Sequence, residues 1–259
     1  MRLVFIAPEE PLILPIFFER AVPALREDVV AIAVVSPIYK NSTWLQQSVR
    51  FVRSFGLRWF VIEVARYAWN KFLDALSRLV PMPRAYSVRS VARRNGVPLL
   101  RPQDVNAPDF LATLRSFQPD LVISVACPQI FHRELLNVPR LGCINVHSAL
   151  LPSYRGMLPT FWAMVNEERE TGVTVHFMSE GIDGGSIIQQ RTVPIGRTET
   201  LLSLMRKTKR AAADLVLEVI EGFEAGTVSP VPNPPDEGNY FSFPTREDVN
   251  RFRALGRRV

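Results

Sequence analysis

Residues 145–156 read Asn-Val-His-Ser-Ala-Leu-Leu-Pro-Ser-Tyr-Arg-Gly, and a second cluster downstream reads Gly181-Ile182-Asp183-Gly184-Gly185. Together they hold an amide, an imidazole and a carboxylate. Asn145 and His147 stand two apart in a stretch, Leu141–His147, that reads as a strand, so both side chains project from one face. The chain then enters an irregular loop, Ser148–Gly156. In an open α/β sheet, ligands bind beyond the carboxyl ends of strands, and an Asn-x-His at such an end is placed for chemistry. An isolated Asn-x-His more often serves the backbone hydrogen bonds of its own loop.

The elements that must position these groups alternate between strand and helix. Arg2–Ala7, Val29–Val35, Val97–Leu100 and Asp120–Val125 read as strands, several of them continuous apolar runs rich in β-branched residues. Gly172–Met178 and Ser186–Ile195 read as two more, joined by the Gly-rich turn that carries Asp183. Helices are expected over Pro11–Arg26, disturbed by Pro15 and Pro23, and over Ser87–Arg94, stopped by Gly96. Others are expected over Asp109–Phe117 and Thr160–Asn166. Leu201, Leu204, Met205, Thr208, Ala212, Leu215 and Val219 mark the apolar face of a long helix from Thr198 to Phe223. Strands apolar on both faces and alternating with helices predict an α/β fold: a Rossmann-like, mostly parallel sheet with helices on both faces. The catalytic unit is expected over 1–224. Residues 225–259, rich in proline, glycine and charge, read as an extended tail laid on the surface, with a short helix from Arg246 to Leu255.

The chain has 259 residues, 47% of them apolar, enough for one sizeable core. Its two cysteines, Cys127 and Cys143, make no disulfide framework or metal spacing and fit a reducing compartment. Three dispersed histidines, without acidic or cysteine clusters, argue against a metal site. Only six apolar residues separate Arg2 from Glu9 and Glu10, fewer than an export signal uses. No uncharged apolar run approaches the ~18 residues of a spanning helix. A cytoplasmic protein is expected, with contact at the inner face of a membrane left open.

The motifs carry a resemblance as well. Pro119–Ala126 leads to Gln129-Ile130-Phe131, then come Asn145–Gly156, Glu170–His176 and Gly181–Gly185, all in register. This order resembles the folate-dependent formyltransferases, the family of methionyl-tRNA, glycinamide ribonucleotide and sugar N-formyltransferases, over roughly residues 119–222. The resemblance implies 10-formyltetrahydrofolate as formyl donor and Asn145, His147 and Asp183 as the catalytic trio. When a primary amine attacks the formyl carbon, negative charge develops on the formyl oxygen. Asn145 and a protonated His147 would donate to it, and Asp183 would orient the imidazole and help move a proton. By the same resemblance, the backbone of Ala126–Phe131 and the stretch near Glu180–Asp183 would line the pterin pocket. Gln129, Ile130, Phe131, Glu180 and Ile182 are then candidate folate contacts, with Leu150 and Leu151 closing the site. Each of these apolar residues has ordinary core packing as its plainer reading. The chain departs from the family pattern at Ala149, where a serine is usual; Ser148 is the candidate to replace its hydrogen bonds.

The acceptor is less legible. After the first strand, Ala7-Pro8-Glu9-Glu10-Pro11-Leu12 lacks glycine and carries two acids, a poor anion cradle, which disfavours glycinamide ribonucleotide. Only 34 residues follow Ala225, short of the further domain of the methionyl-tRNA enzymes, and initiator tRNA is disfavoured too. Formyltetrahydrofolate hydrolases carry an extra amino-terminal domain, whereas the first strand here begins at Arg2. A small-molecule amine, first an amino sugar on a nucleotide or another activated carrier, is the expected acceptor. The methionyl-tRNA, hydrolase and non-catalytic folate-binding readings stand behind it in that order.

One segment is unabsorbed by this scheme. The net charge is +6, yet residues 40–94 alone carry eleven Lys or Arg and two acids, leaving −3 for the remainder. Residues 44–80 hold three of the four tryptophans, with Arg50, Arg53, Arg58, Arg66, Lys71 and Arg78 among them. Helical spacing sets Val52, Phe55 and Trp59 on one side. A helical insertion over about 40–85 is expected, open to three readings. It packs on the main domain or in a homodimer interface, it docks on an anionic membrane surface, or its arginines face phosphates of the acceptor. Basic charge alone is weak ground for nucleic acid as a partner.

Overall fold

The computed structural model describes residues 1–36 and 42–259, so residues 40 and 41 of the expected insertion lie outside the described residues. Strand β1 (Leu3–Pro8) leads to helix α1 (Leu14–Ala24) and strand β2 (Val29–Val35). Helices α2 (Trp44–Phe55), α3 (Leu57–Leu76) and α4 (Val88–Asn95) precede the short β3 (Leu99–Leu100). Then come α5 (Pro108–Ser116), β4 (Leu121–Val125), α6 (Arg133–Leu136), β5 (Cys143–His147), β6 (Arg155–Gly156) and α7 (Pro159–Val165). The pair β7 (Glu170–Phe177) and β8 (Ile187–Pro194) is followed by α8 (Leu201–Ala225), β9 (Tyr240–Phe241) and α9 (Arg246–Ala254).

Seven strands form one sheet in the order β3-β2-β1-β4-β5-β7-β8. The pairings from β3 through β5 are parallel; β7 runs antiparallel to β5, and β8 to β7. Both faces are covered, which is why these strands read as unbroken apolar runs. Leu3, Phe5 and Ala7 of β1 pack with Phe17 and Phe18 of α1 and with Leu215 and Val219 of α8. Val4 and Ile6 pack with Phe110, Leu111 and Leu114 of α5. Cys143 belongs to the α5 side, so Asn145 and His147, two and four residues on, project to that side at the end of β5.

Local chemistry sets the helix ends. Pro15 falls in the first turn of α1, where a missing N–H costs nothing, and Pro23 falls in its last turn, so α1 is shorter than Pro11–Arg26. Ser87 caps α4 by accepting from the Ser90 amide, and Gly96 ends it in the left-handed region at φ 69°. Thr200 caps α8 likewise, and the predicted apolar face of α8 is buried from Leu201 to Val219.

Residues 225–259 do more than lie on the surface. β9 pairs with β6, and Phe243, Val249 and Phe252 enter a third apolar cluster with Phe161 and Leu204. Phe252 stacks on Phe161 with ring centroids 5.0 Å apart. The reason is the three-residue spacing of Val249 and Phe252, which puts an apolar stripe on an otherwise charged short helix. Phe252→Ala should therefore cost about 3–5 kcal/mol in chemical denaturation, as a buried aromatic does. A change below roughly 0.5 kcal/mol, the surface value, would restore the surface-tail reading.

Candidate functional site

The end of β5 opens on a cavity of about 600 Å³. Its walls include the loop after β4, the end of β5, the turn after β7 and one side of α8. Asp183 is mostly buried in it. Its Oδ2 accepts from the Gly156 amide at 2.9 Å and lies 3.5 Å from His147 Nδ1. Its Oδ1 accepts from Asn145 Nδ2 at 3.3 Å and lies 3.6 Å from His176 Nε2. The three residues singled out in the sequence therefore meet, with His176 as a fourth.

Gly156 is required for this arrangement. Its φ is +94°, and a Cβ there would meet the Phe241 carbonyl and the Tyr240 ring, so a side chain would push away the strand that presents its amide to Asp183. The turn is also held from the tail. Asn233 Nδ2 donates to the Asp183 carbonyl at 2.8 Å and to the Gly185 carbonyl at 2.9 Å, while its Oδ1 accepts from Arg155 at 2.9 Å.

The ring partners set the proton positions. His147 Nε2 lies 2.8 Å from the Tyr154 carbonyl, which can only accept, so Nε2 carries hydrogen. His176 Nδ1 is 2.7 Å from the Phe177 carbonyl by the same logic, which leaves Nε2 to accept from Asn145 Nδ2 at 3.2 Å. Burial pushes the His147 imidazole below its ordinary value, against the pull of Asp183 and with help from Lys209. Burial pushes the Asp183 carboxyl up, but His147, His176 and the Gly156 amide outweigh it and hold it at about 2. The resting pair is thus a carboxylate beside a neutral ring whose Nδ1 lone pair faces it. A proton taken at Nδ1 would be held by that carboxylate.

Known proteins can now be set beside this geometry. The family model described as formyl transferase matches residues 74–220. This chain belongs to that family. The methionyl-tRNA formyltransferase of Synechocystis sp. is 39% identical over 165 residues, 63% of this chain and 49% of that protein. That of Geobacter metallireducens is 40% identical over 152 residues, 59% of this chain and 48% of that protein. The chain spans about half the length of these curated relatives. A sugar N-formyltransferase from a Shewanella species superposes with a TM-score of 0.60 at 21% identity, covering 97% of this chain and 88% of that one. The phosphoribosylglycinamide formyltransferase of Anaplasma phagocytophilum superposes with a TM-score of 0.63 at 16% identity, covering 93% and 99%. At these identities the superpositions establish the formyl transferase fold.

Within this cavity, Ala126, Gln129, Ile130, Phe131 and Ile182 lie in the wall. The Gln129 amide is spent on the neighbouring loop, accepting from Val105 N and donating to the Gln103 carbonyl, both at 2.9 Å. Leu150, Leu151 and Glu180 are not in the wall. Leu150 packs over Gly172 of β7. Leu151 is buried, its amide donating to Thr174 Oγ1 at 3.1 Å and its carbonyl accepting from Gln190 at 2.8 Å. These two leucines serve the core, their plainer reading, and Glu180 points to solvent. Ser148 does not replace the family serine at position 149. Thr174 Oγ1 holds the loop by donating to the Ala149 carbonyl at 2.6 Å, and Ser148 Oγ accepts from Lys209 Nζ at 3.0 Å.

Two site residues escaped the sequence reading. His176 is not among the residues that the motifs single out, yet the antiparallel register pairs it directly with Asn145. Lys209 lines the cavity from α8, with burial pushing its amine down to about 8 against the pull of Glu10. Its signal was present: Lys209 follows Met205 by four residues and precedes Ala212 by three, so a lysine stands on the apolar face. Glu10 explains the poor anion cradle after β1. Its carboxylate already takes the Leu12, Ile13 and Leu14 amides at 2.7, 2.8 and 3.0 Å.

Because the fold favours neutral His147, its contribution to stability is complete above the ordinary imidazole value of 6.5 and declines as pH falls below it. Asp183 adds a further loss between its ordinary 3.8 and about 2. NMR titration of the His147 ring should give a midpoint below 6.5, and Asp183→Asn should lower it further. A midpoint above 7 in the unmodified protein would contradict the proton positions derived above.

Proposed function

We propose that this chain transfers a formyl group from 10-formyltetrahydrofolate to a primary amine, with Asn145, His147 and Asp183 as its catalytic residues. The observation that carries the reading is the convergence of those three side chains on one cavity at the end of β5, in a chain of the formyl transferase family. The folate fits this cavity on physical grounds. Its volume is in the range of small-molecule sites, and Ile130, Phe131 and Ile182 offer an apolar wall to a flat heterocycle. Neighbours of the same fold were solved with 5-N-formyltetrahydrofolate or folinic acid.

When bound, the folate supplies the formyl carbon. Asn145 turns an amide hydrogen from its long bonds to Asp183 and His176 toward the oxygen on which charge develops. His147 would take the proton of the attacking amine at Nδ1, Asp183 would stabilise the ring so charged, and that proton would pass to the folate nitrogen as its bond to the formyl carbon breaks. This assigns His147 the role of base, because Nε2 is committed to Tyr154 and burial favours the neutral ring. Residues 1–224 form the catalytic unit in this reading, and 225–259 brace it through Asn233.

For the acceptor we favour an amino sugar on a nucleotide or another activated carrier. Glu10 closes the amide cradle that a ribonucleotide phosphate would use, and a neighbour from Helicobacter canadensis was solved with folinic acid and dTDP-3-aminofucose. Lys209, a buried cation with a neutral hydroxyl as its hydrogen-bond partner, suits an anionic group on such an acceptor. The methionyl-tRNA reading keeps its own support in the relatives at 39–40% identity.

Turnover of 10-formyltetrahydrofolate should be measured with amino-sugar nucleotides, glycinamide ribonucleotide, methionyl-tRNA and water alone. The expected outcome is consumption with amino sugars and none with water. His147→Ala should lower kcat by roughly 10²–10⁴ while folate binding, read by fluorescence, stays near normal; unimpaired turnover would remove the base role. Lys209→Met should raise KM for an anionic acceptor by about 10–100-fold, the worth of one charged hydrogen bond. An unchanged KM would take Lys209 out of acceptor recognition.

A further inference from the structure

The insertion divides into an anchored side and a free one. On the anchored side Phe51 and Phe55 of α2 stack with Trp59 of α3 at 5.8 and 4.6 Å, and Phe51 meets Phe243 edge-on at 4.9 Å. On the free side, α3 is a 20-residue helix in which only Asp74 is buried. Leu57 is 65% exposed, Val61 56%, Trp69 60% and Phe72 55%. Ile62, Val64 and Tyr67 are exposed as well, as are Trp44 and Leu45 on α2. With one residue every 100°, the exposed apolar residues of α3 spread over more than half of its circumference, with Arg58 and Lys71 among them and Glu63, Arg66 and Asn70 on the other side. Soluble surfaces rarely show apolar patches so continuous without something to cover them.

The charge pattern selects the cover. Arg53, Arg58 and Lys71 stand among the apolar residues, while Arg66 is paired with Glu63 and Arg78 with Asp74. A second copy docked about a two-fold axis would set these cations against themselves. A nucleic-acid surface would bury little of the aliphatic area that Val61, Ile62, Val64 and Leu57 present. A bilayer with anionic headgroups takes both parts: aliphatic and aromatic chains enter the interface, and the cations meet the phosphates. The contact is superficial, since no helix among the described residues is long and apolar enough to cross a membrane.

We infer that α2 and α3 dock this protein on an anionic lipid surface, next to the mouth of the cavity, whose wall includes Gln47 and Phe51 of α2. Resting on the formyl-transfer reading, the consequence is an amine acceptor carried on a lipid. The docking itself does not depend on that reading.

The test is flotation of the full chain with phosphatidylcholine vesicles, with and without about one third phosphatidylglycerol, at low and high salt, beside turnover on a soluble amine. The expected result is flotation with the anionic vesicles at low salt, loss on neutral vesicles, and weakening by salt. Val61→Glu with Trp69→Glu should reduce vesicle affinity at least tenfold, and Arg53→Gln with Arg58→Gln roughly fivefold per charge. These positions are at the surface and outside the cavity wall, so melting temperature and soluble turnover should hold. Absence of flotation on anionic vesicles at low salt overturns the proposal. So does a dimer in light scattering that the glutamate pair dissolves, or tRNA binding that the same pair abolishes while vesicle binding persists. Failed turnover with intact flotation would instead count against formyl transfer alone.

Discussion

An ionised carboxylate held largely out of water is the constraint around which this molecule is arranged. Desolvating such a group costs several kcal/mol unless hydrogen bonds and opposite charge replace its water. Asp183 receives the Gly156 amide and the Asn145 amide, and lies against two imidazoles. These contacts come from different parts of the fold. Gly156 belongs to the strand that the tail pairs with, Asn145 and His147 to β5 and His176 to β7. The sheet order and the tail are therefore conditions for one charge to exist, which is why this site cannot be moved to a shorter piece of the chain without loss.

Two further ionisable groups answer to the same requirement. Glu10 lies at the amino end of α1 with three backbone amides on it, and Lys209 lies on α8 with Ser148 Oγ as its hydrogen-bond partner. Glu10 pulls Lys209 toward its charged state, yet the two form no close ion pair. The lysine is left with donors to spare on the wall of the cavity. The same cation adds to the forces that keep His147 neutral. Occupancy of that wall by an anion would relax this effect.

What the sequence disclosed follows from range. Asn145 and His147 are two apart on one strand, and Ser87, Thr200, Gly96 and the α8 stripe announce helix limits within a turn or two, so these were legible. His176 was not, because its place beside Asn145 depends on the register of an antiparallel pair 31 residues apart. Asn233 was hidden for the same reason: its 50-residue reach to Asp183 leaves no local pattern. Leu150 and Leu151 illustrate a different limit. An apolar residue near a site can face the ligand or the core, and only the hydrogen bonds of Thr174 and Gln190 decide that Leu151 turns inward.

The cavity itself joins two kinds of sequence. Asn145, His147, Ile182 and Asp183 lie inside residues 74–220, the part that matches the formyl transferase family. Gln47 and Phe51 come before that span, and Tyr240 and Phe243 after it. The two outlying pieces also hold one another, since Phe51 and Arg50 both pack on the Phe243 ring. A group at the end of β5 meets residues inside the matched span, whereas whatever approaches from the α2 side meets residues outside it. On the proposed formyl-transfer reading, selection of the acceptor falls to that outlying wall, and a change in α2 or in the tail would alter which amine reaches His147 without touching the residues that receive its proton.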